Sequence, residues 1–433
     1  MHTDVLIIGA GITGMTCAYY LDKDYAILEK ERSPGGVCRT DKVKGFYFDT
    51  AEHFIRVPDK NVLGFFRNVL GSDFYRQRLV SSVYYGGRFI PYPFQKNIYY
   101  LSDRDKLNCF KSFIKKPAYG NGEKYSSFGD WALRNYGEWI YRNFVFPYNK
   151  KIWQVDPFRM KSDFSFDPKL IPHISFDEML EYTFLRQEDR KEDHVQHRYY
   201  VKEGGIGAFS DRLASKVKNI KYGKNVIKID LKRKEALCSD GTICRYNTII
   251  STIPITELVK KVSDIPSGLV KASKGLKYNS ICVFNFALKK DIKFPEHWMY
   301  IPETKAPLVR AYFLKNFNKK MCPKGKSSLS AIYAYMPKSK RDLRKIEKSI
   351  LDYFSKHGFL SVNDIEFKLR QIIKYAMPIP TIGSDRIVGR LDRFLSSRSI
   401  KTIGRYGEWK YQGIEHAVRD GQRINSILAK GLK

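Results

Sequence analysis

An α/β fold is predicted by two patterns at opposite ends of the 433-residue sequence. In the first, "DVLIIGAGITGMTCAYYL" (residues 4–21), an apolar strand leads through a glycine-rich turn into a helix. The second is a strand, a Gly-Arg turn and a final helix from Ile400 onward. Together they predict a Rossmann-like dinucleotide-binding domain built from discontinuous segments, with an inserted mixed α+β substrate domain.

The amino-terminal apolar run fits neither a secretion signal nor a membrane span. A signal peptide begins with basic residues, whereas Asp4 precedes this run and no Lys or Arg does. A spanning helix needs about twenty apolar residues, and here glycines interrupt the run before Asp22 and Lys23 end it. A nucleotide-binding turn is the interpretation that remains.

The order of elements supports this interpretation. Val5–Ile8 form the expected strand and Ile12–Leu21 the expected helix. Between them, Gly9 allows the tight turn, Gly11 lets a diphosphate approach the backbone, and Gly14 lets the helix pack on the strand. The alternative is a βαβ unit that belongs to the protein core and binds no nucleotide. Such a unit would not require all of these elements in this order.

An acidic residue and a second glycine pair follow the helix. "YAILE" predicts a second strand ending at Glu29, where a carboxylate can hold a ribose hydroxyl. "KERSPGG" then places Gly35 and Gly36 on a loop near Arg39. FAD is longer than NAD and its ribityl-diphosphate must pass beneath a further loop, so the pair favours FAD over NAD; an ordinary surface turn is the alternative.

The charge balance limits the classes of binding partner that the sequence predicts. The chain has 77 basic and 45 acidic residues, a net charge of +32. Either the protein attracts phosphate-rich or membrane-surface partners, or its solvated faces simply carry lysine. The densest stretches are residues 315–326 and 338–348, and the second has helical spacing. Nucleic-acid binding is not predicted, because no reading motif accompanies the charge.

Cysteine and histidine usage predicts no metal site. Seven scattered Cys without C-x-x-C spacing indicate a reduced compartment without disulfides or zinc. His194 and His197 have helical spacing, but no third ligand is indicated. We therefore expect a cytoplasmic protein, with contact to a membrane surface left open and the oligomeric state unknown.

Composition shifts predict the domain organisation. Residues 1–60, 200–280 and 385–433 are expected to form the dinucleotide domain. Residues 61–199, helical and aromatic, and residues 281–384, rich in strand-like runs, are expected to form the substrate domain as a helical part and a sheet part.

Five further motifs follow the glycine turns: "GFYFDTAEHF", "YYGGRFIPYPFQKN", "FPYNKKIW", "NVIKI" and "GRYGEWKYQGIEHAV". With them, nearly the whole chain resembles the flavoproteins grouped with amine oxidases, protoporphyrinogen oxidases and UDP-galactopyranose mutases. The resemblance implies non-covalent FAD and a small-molecule substrate, such as a sugar nucleotide or lipid-linked sugar. The residues implied for catalysis are His53, Asn97, Tyr148, Trp153, Arg405 and Tyr411. Those predicted to bind FAD are Gly9, Gly11, Ile12, Thr13, Gly14, Glu29, Lys30, Gly35, Gly36, Arg39, Thr40, Glu52, His53, Val226, Gly404, Arg405, Gly413 and Ile414.

The last of these motifs, "GRYGEWKYQGIEHAV", is also supported by a physical argument. A helix beginning near Gly413 aims unpaired N–H groups and a positive dipole end at whatever precedes it, which suits the negative edge of a reduced flavin. Arg405 adds a permanent cation. An ion pair between Arg405 and Glu408, and a packed core role for His53 and the aromatic residues, are the alternatives.

The chain also departs from the named families. The mutases carry an Arg that grips the nucleotide diphosphate, and "IPHISFDEMLEYTFLRQ" offers none there, although Arg186 is near. The stretch "HWMYIPETKAPLVRAYFLKNF" is more similar to the oxidases, and no Cys follows Cys322 to hold a flavin covalently. No second dinucleotide motif with the expected context follows the first, so the substrate or an outside donor would reduce the flavin.

Three functions stay open at this point. The first is an FAD-dependent oxidoreductase acting on a nucleotide-sugar or glycan precursor. The second is a redox-neutral sugar mutase or isomerase of the UDP-galactopyranose mutase kind that uses reduced FAD. The third is a flavin-bound scaffold without turnover.

Overall fold

The computed structural model of the chain describes residues 1–56, 59–117, 124–163, 173–185 and 197–429. The strands are β1 (His2–Ile8), β2 (Tyr25–Leu28), β3 (Thr40–Val43), β4 (Phe46–Asp49), β5 (Phe74–Arg78), β6 (Ser81–Tyr85), β7 (Arg88–Pro91), β8 (His197–Val201), β9 (Ile220–Lys221), β10 (Val226–Asp230), β11 (Glu235–Cys238), β12 (Ile243–Ser251), β13 (Tyr278–Leu288), β14 (Trp298–Tyr300), β15 (Arg310–Tyr312), β16 (Ser327–Tyr335), β17 (Ile365–Pro378) and β18 (Ile400–Thr402). The helices are α1 (Ile12–Tyr20), α2 (Lys60–Leu70), α3 (Asp103–Ile114), α4 (Phe128–Ile140), α5 (Phe146–Trp153), α6 (Phe176–Phe184), α7 (Gly207–Ser215), α8 (Ile255–Lys261), α9 (Ser267–Ser273), α10 (Leu314–Phe317), α11 (Leu343–Lys356), α12 (Ser384–Ser396), α13 (Gly404–Gly407), α14 (Ile414–Gln422) and α15 (Ile424–Ala429).

The first sheet joins segments that lie far apart in the chain. Its order is β10-β11-β12-β1-β2-β9, and β18 pairs with β12. The pairings of β1 with β12, β1 with β2, β2 with β9 and β12 with β18 are parallel. The structure thus confirms the predicted α/β fold with a Rossmann-like domain assembled from discontinuous segments, while the exact domain boundaries stay predictions.

The second sheet has the order β17-β13-β16-β15-β14-β6-β7. Its pairings are antiparallel except that of β14 with β6. Two short ribbons, β3 with β4 and β5 with β8, complete the strands. Because β14, which follows β13 in the chain, pairs with β6, this sheet links residues before 100 to residues from 278 onward.

The burial of strands β1 and β17 explains the pattern of apolar and polar residues in each. β1 is buried along most of its length, and Val5–Ile8 are accordingly all apolar, as expected for a central parallel strand. β17 is an edge strand, and Lys368, Arg370, Ile372 and Lys374 alternate onto its exposed face.

Two sequence expectations differ from the structure in detail. Helix α1 ends at Tyr20, with Leu21 as its C-cap in extended conformation, rather than including Leu21. The stretch 61–199, expected to be helical, also contains a hairpin, because Gly86 and Gly87 both have positive φ and close a tight turn between β6 and β7. Within the described ranges, no helix has both the length and the apolarity that crossing a bilayer would require.

Candidate active site

The amino-terminal glycine turn contains one glycine that the protein's own packing does not explain. Gly9 has a φ of +104°, and a Cβ there would lie 2.6 Å from Thr252 Oγ1. A Cβ on Gly14 would overlap the carbonyl oxygen of Gly9. At Gly11, by contrast, φ is −72° and a Cβ would meet no atom within 4 Å. Gly11 therefore borders open space of the kind a diphosphate would use.

The second glycine loop forms the neighbouring wall of this space. Gly35 donates its N–H to the carbonyl of Ala10 at 2.8 Å and pairs with Gly11 as a parallel bridge. A Cβ on Gly36 would lie 3.4 Å from the Cα of Gly11. The two glycine motifs thus lie together, although more than twenty residues separate them.

Glu29 lies at the end of β2, beside the first glycine turn. Its Oε2 accepts the Ala10 N–H at 2.7 Å, and its Oε1 accepts the Glu31 N–H at 2.9 Å. Lys30 is exposed and its Nζ lies 3.3 Å from Glu31 Oε1. The carboxylate is therefore fixed by backbone donors beside the first glycine turn, and its contact with a ribose hydroxyl stays a prediction.

Val226 begins β10 next to this acidic residue. Lys224 donates its N–H to the Glu29 carbonyl at 2.8 Å, which holds the start of β10 against the end of β2. The Val226 carbonyl accepts Lys261 Nζ at 2.6 Å. The structure thus places the start of β10 beside Glu29, and a contact of Val226 with adenine stays a prediction.

Thr40 follows the partly exposed Arg39 and connects two elements of the domain. Its hydroxyl donates to Asp49 Oδ1 at 2.6 Å and accepts the N–H of Gly207 at 2.8 Å. Asp49 also accepts the Tyr200 hydroxyl, and burial raises its pKa to about 6. Because the Thr40 hydroxyl is used in this network, its contribution to the site is to fix β3 and β4 against α7.

The carboxy-terminal turn lies on the first turn of α1. Ile403 donates its N–H to the Ser251 carbonyl at 3.1 Å, extending the pairing of β18 with β12. Gly404 follows with a φ of +81°, and a Cβ on it would lie 2.6 Å from Thr13 Oγ1. Both Ile12 and Thr13 are buried there. The two turns that the sequence assigned to one cofactor are therefore in contact.

Arg405 faces a cluster of predicted site residues. Its guanidinium carbon lies 5.2 Å from the ring centroid of Tyr411, and the Trp153 ring centroid lies 5.4 Å from that of Tyr411. Its Nη1 donates to the Gln412 carbonyl at 3.3 Å. Burial, with a smaller contribution from Arg405, lowers the pKa of His53 to about 4. His53 is therefore neutral at physiological pH.

The alternative role for Arg405, an ion pair with Glu408, is not the observed arrangement. Glu408 Oε1 accepts Lys410 Nζ at 2.9 Å, and its Oε2 accepts the Gly404 N–H at 3.3 Å. Within the described part of the chain, no carboxylate lies within ion-pair distance of Arg405. Its charge is therefore available to a ligand.

Arg310 is a site residue that the sequence analysis missed. It lies on β15, forms an ion pair with Glu52, and donates from Nη2 to the Tyr148 hydroxyl at 2.8 Å. Its guanidinium carbon lies 4.8 Å from the ring centroid of Tyr300. Burial lowers the pKa of Arg310 to about 10, and Tyr411 is near enough to oppose that shift. An Arg inside the apolar run "PLVRAYF" was the available signal.

Aromatic side chains line the space around Arg310. The ring of Tyr300 lies 5.3 Å from Tyr148, edge to face, and 5.0 Å from Tyr92. Asn97 is buried, and its Nδ2 donates to the Pro93 carbonyl at 3.0 Å within its own turn. A direct role for Asn97 toward a substrate stays a prediction.

The start of α14 is less free than the sequence suggested. Gly413 is the N-cap and Ile414 the first helical residue, as predicted. The Gly413 N–H, however, donates to His416 Nδ1 at 3.1 Å. The buried Glu415 carboxylate folds back toward Gly413, and Arg56 Nη1 lies 4.0 Å from its Oε1. Glu415 therefore compensates part of the positive helix end.

The described residues contain no candidate metal site. His194 lies outside the described residues, and His197 opens strand β8, so the helical pairing considered from the sequence does not apply to it. The described ranges contain no group of three or more His, Cys, Asp or Glu side chains suited to a metal ion.

The residues fit FAD on two observations. Gly11 leaves open space between two glycine loops, beside the Glu29 carboxylate. Several buried polar atoms nearby have no hydrogen-bond partner among the described residues, and such atoms are expected to find one in a ligand. These atoms are Glu52 Oε2, His53 Nδ1, Arg310 Nε, Arg405 Nε and Gln412 Oε1.

Comparison with known proteins supports the fold. Residues 7–69 match the family of NAD(P)-binding Rossmann-like domains. The inactive all-trans-retinol 13,14-reductase of Danio rerio is 40% identical over 57 residues, which are 12% of this chain and 9% of that protein. This chain thus matches only a small part of that relative's length.

Two solved structures are similar along the whole chain. A reduced UDP-galactopyranose mutase superposes with a TM-score of 0.91 at 24% identity, covering 99% of this chain and 96% of the mutase. A protein assigned as a protoporphyrinogen oxidase, from Exiguobacterium sp. 255-15, superposes with a TM-score of 0.75 at 15% identity, covering 99% of each chain. Residues 7–69 therefore match a Rossmann-like domain, and the chain has, from end to end, the fold of these two proteins.

Proposed function

We propose that the protein is an FAD-dependent oxidoreductase that acts on a nucleotide-sugar or glycan precursor. The observation that carries this proposal is the presence of two arginines, Arg310 and Arg405, around Tyr411 in an aromatic-lined space. Arginine forks match phosphate and carboxylate groups, and tyrosine rings pack on the apolar faces of sugars. A substrate that joins a sugar to an anionic group satisfies both.

Each group of residues has a separate task in this proposal. The loops at Gly11 and Gly36 admit the cofactor diphosphate, and Glu29 holds the ribose. When bound, FAD supplies the acceptance and return of an electron pair. Arg405, which has no carboxylate within ion-pair distance among the described residues, binds the anionic part of the substrate, and Arg310, paired with Glu52, orients it through its unpartnered Nε. The neutral His53 offers Nδ1 for a hydrogen bond.

A redox-neutral sugar mutase that uses reduced FAD is the second candidate, and Arg310 favours it. The sequence has no Arg at the position where mutases bind the diphosphate, and this absence argued against the mutase reaction. The nearby Arg186 lies outside the described residues. Arg310 supplies a buried cation in the same space, held by Glu52 and Tyr148. In this second candidate, Arg310 Nε, which has no hydrogen-bond partner among the described residues, donates to the diphosphate in place of the missing Arg.

One anaerobic experiment separates the candidates. The purified protein, yellow if it holds flavin, is mixed with UDP-sugars, dTDP-sugars, amines and porphyrinogens. Bleaching of the flavin without added reductant supports the oxidoreductase. Turnover only after dithionite, with no net consumption of reductant, supports the mutase. A yellow protein that does neither with any compound contradicts both and supports the scaffold hypothesis.

A further inference from the structure

Helix α12 presents a row of arginines to solvent. Arg386, Arg390 and Arg393 follow one another at spacings of four and three residues, which places them on one face of the helix. All three are exposed. On the opposite face, Leu391 and Leu395 are completely buried in the core. The helix is therefore amphipathic with a basic outer surface.

Three exposed lysines lie on the segment that packs against α12. Lys271, Lys274 and Lys277 lie in and just after α9, and all are exposed. The two elements touch, because a Cβ on Gly275 would lie 3.0 Å from Ile387 Cδ1. We call Lys271, Lys274, Lys277, Arg386, Arg390 and Arg393 the basic face.

The nearby carboxylates do not neutralise the basic face. Asp385 forms its ion pair with Lys161 at 2.7 Å. Asp392 accepts the hydroxyl of Thr402 at 3.3 Å and so points toward β18. Among described carboxylates, none lies within ion-pair distance of the six basic residues. The positive charge is therefore presented to solvent.

Two exposed apolar side chains lie at one end of α12. Ile382, just before the helix, is 56% exposed, and Phe158 is 47% exposed. Their segments are joined, because Ile382 donates its N–H to the Arg159 carbonyl at 3.0 Å, and Met160 pairs with Thr381. We call Phe158 and Ile382 the apolar tip.

We propose that the basic face and the apolar tip dock this protein on an anionic lipid bilayer. Lysines and arginines are attracted to the negative surface of such a bilayer, and exposed apolar side chains insert at the boundary of the headgroups. A nucleic acid would use the charge but would leave Ile382 and Phe158 in water. The combination of the two features therefore favours the bilayer. This surface is independent of the proposed reaction.

Helix α11 offers a matched comparison. Its exposed residues Arg344, Lys345 and Lys348 carry the same charge as the three arginines of α12. Asp352 is exposed one turn after Lys348, which places an acidic residue on the same face. The exposed acid of α12, Asp385, is instead paired with Lys161, and α11 is not part of the proposed docking surface.

The test is sedimentation of the full protein with vesicles of phosphatidylcholine, with and without phosphatidylglycerol. We expect binding only to the anionic vesicles, weakening as salt is added. Since each basic residue near such a surface contributes about fivefold, the triple variant Arg386→Gln/Arg390→Gln/Arg393→Gln should bind about a hundredfold more weakly. The control Arg344→Gln/Lys345→Gln/Lys348→Gln should bind almost as the native protein does.

Further outcomes decide the proposal. Replacing the apolar tip with serine (Phe158→Ser/Ile382→Ser) should weaken binding at every salt concentration, since apolar insertion is not screened. Absence of binding to anionic vesicles, or equal loss in the two triple variants, overturns the proposal. The proposal is also overturned if the protein binds duplex DNA more tightly than vesicles and the DNA binding is lost in the triple arginine variant of α12. Circular dichroism checks that each variant is folded. Flavin turnover should be the same in these variants as in the native protein, because the docking surface is independent of the proposed reaction.

Discussion

Gly404 lies so close to Thr13 that a Cβ on the glycine would be 2.6 Å from the threonine Oγ1. The turn before α14 and the first turn of α1 thus form one surface. A φ of +81° at Gly404 adds a conformational requirement to the steric one. The cofactor space therefore has a wall from each end of the chain.

Substitution of Gly11 should separate cofactor binding from folding. Because the Cβ of Gly11→Val enters open space, and a φ of −72° suits valine, we expect native stability but loss of bound flavin. The measurements are flavin absorbance per protein and the thermal unfolding midpoint. Gly14→Val is the control, which should fail to fold because its side chain overlaps the Gly9 carbonyl. A yellow Gly11→Val protein would contradict the proposed diphosphate position.

Substitution of Arg405 should remove turnover and change the titration of His53. In Arg405→Ala, flavin should stay bound, since the glycine loops are intact. The pKa of His53 should rise from about 4 toward its ordinary value, because one of the two causes that lower it is gone. Nuclear magnetic resonance of the imidazole measures this. Arg405→Lys keeps the positive charge and should leave the pKa low; the same titration in both variants would place Arg405 away from His53.

The ion pair between Arg310 and Glu52 predicts a non-additive result. Arg310→Met leaves the Glu52 carboxylate, which is 8% exposed, without its partner, and should cost about 3–5 kcal/mol of unfolding free energy. The double variant Glu52→Gln/Arg310→Met should recover most of that loss. Urea denaturation measures both. The exposed control Arg344→Met should cost under about 0.5 kcal/mol. Equal losses in the single and double variants would show that the pair is not coupled.

Asp49 predicts a distinct pH dependence of stability. Its pKa is raised to about 6 in the folded protein from an ordinary 3.8, so the fold favours its protonated form. The resulting stabilisation is present below about pH 4 and is lost as the pH rises through 6, a change of about 3 kcal/mol. Asp49→Asn should remove this part of the stability profile. Parallel profiles of the two proteins between pH 4 and 6 would contradict the raised pKa.

The features predicted correctly are those that a short stretch of chain determines. The strand, turn and helix around Gly9, Gly11 and Gly14 follow from local apolar runs and glycine spacing, and the residues lie where the motif requires. The same holds for Gly413 as the cap of α14, because a glycine between an aromatic turn and an amphipathic stretch is a local signal.

Of the features that sequence reasoning missed, the contacts of Arg310 depend on residues distant in the chain, whereas those of Glu415 and Asn97 are local. Arg310 could not be assigned from its own surroundings, because Glu52 and Tyr148 reach it only after β15 joins the second sheet. Glu415 was not weighed at the start of α14, although an acidic residue in a first helical turn is itself a local signal. The contacts of Asn97 with its own turn likewise required the structure.

The pairing of β18 with β12, and of Gly404 with α1, has a consequence for biosynthesis. Residues 1–60 leave the ribosome early, yet the wall they share with residues 400–422 cannot form until translation has passed that point. In the nascent polypeptide, a space that needs both walls is therefore incomplete until residues 400–422 have been synthesised.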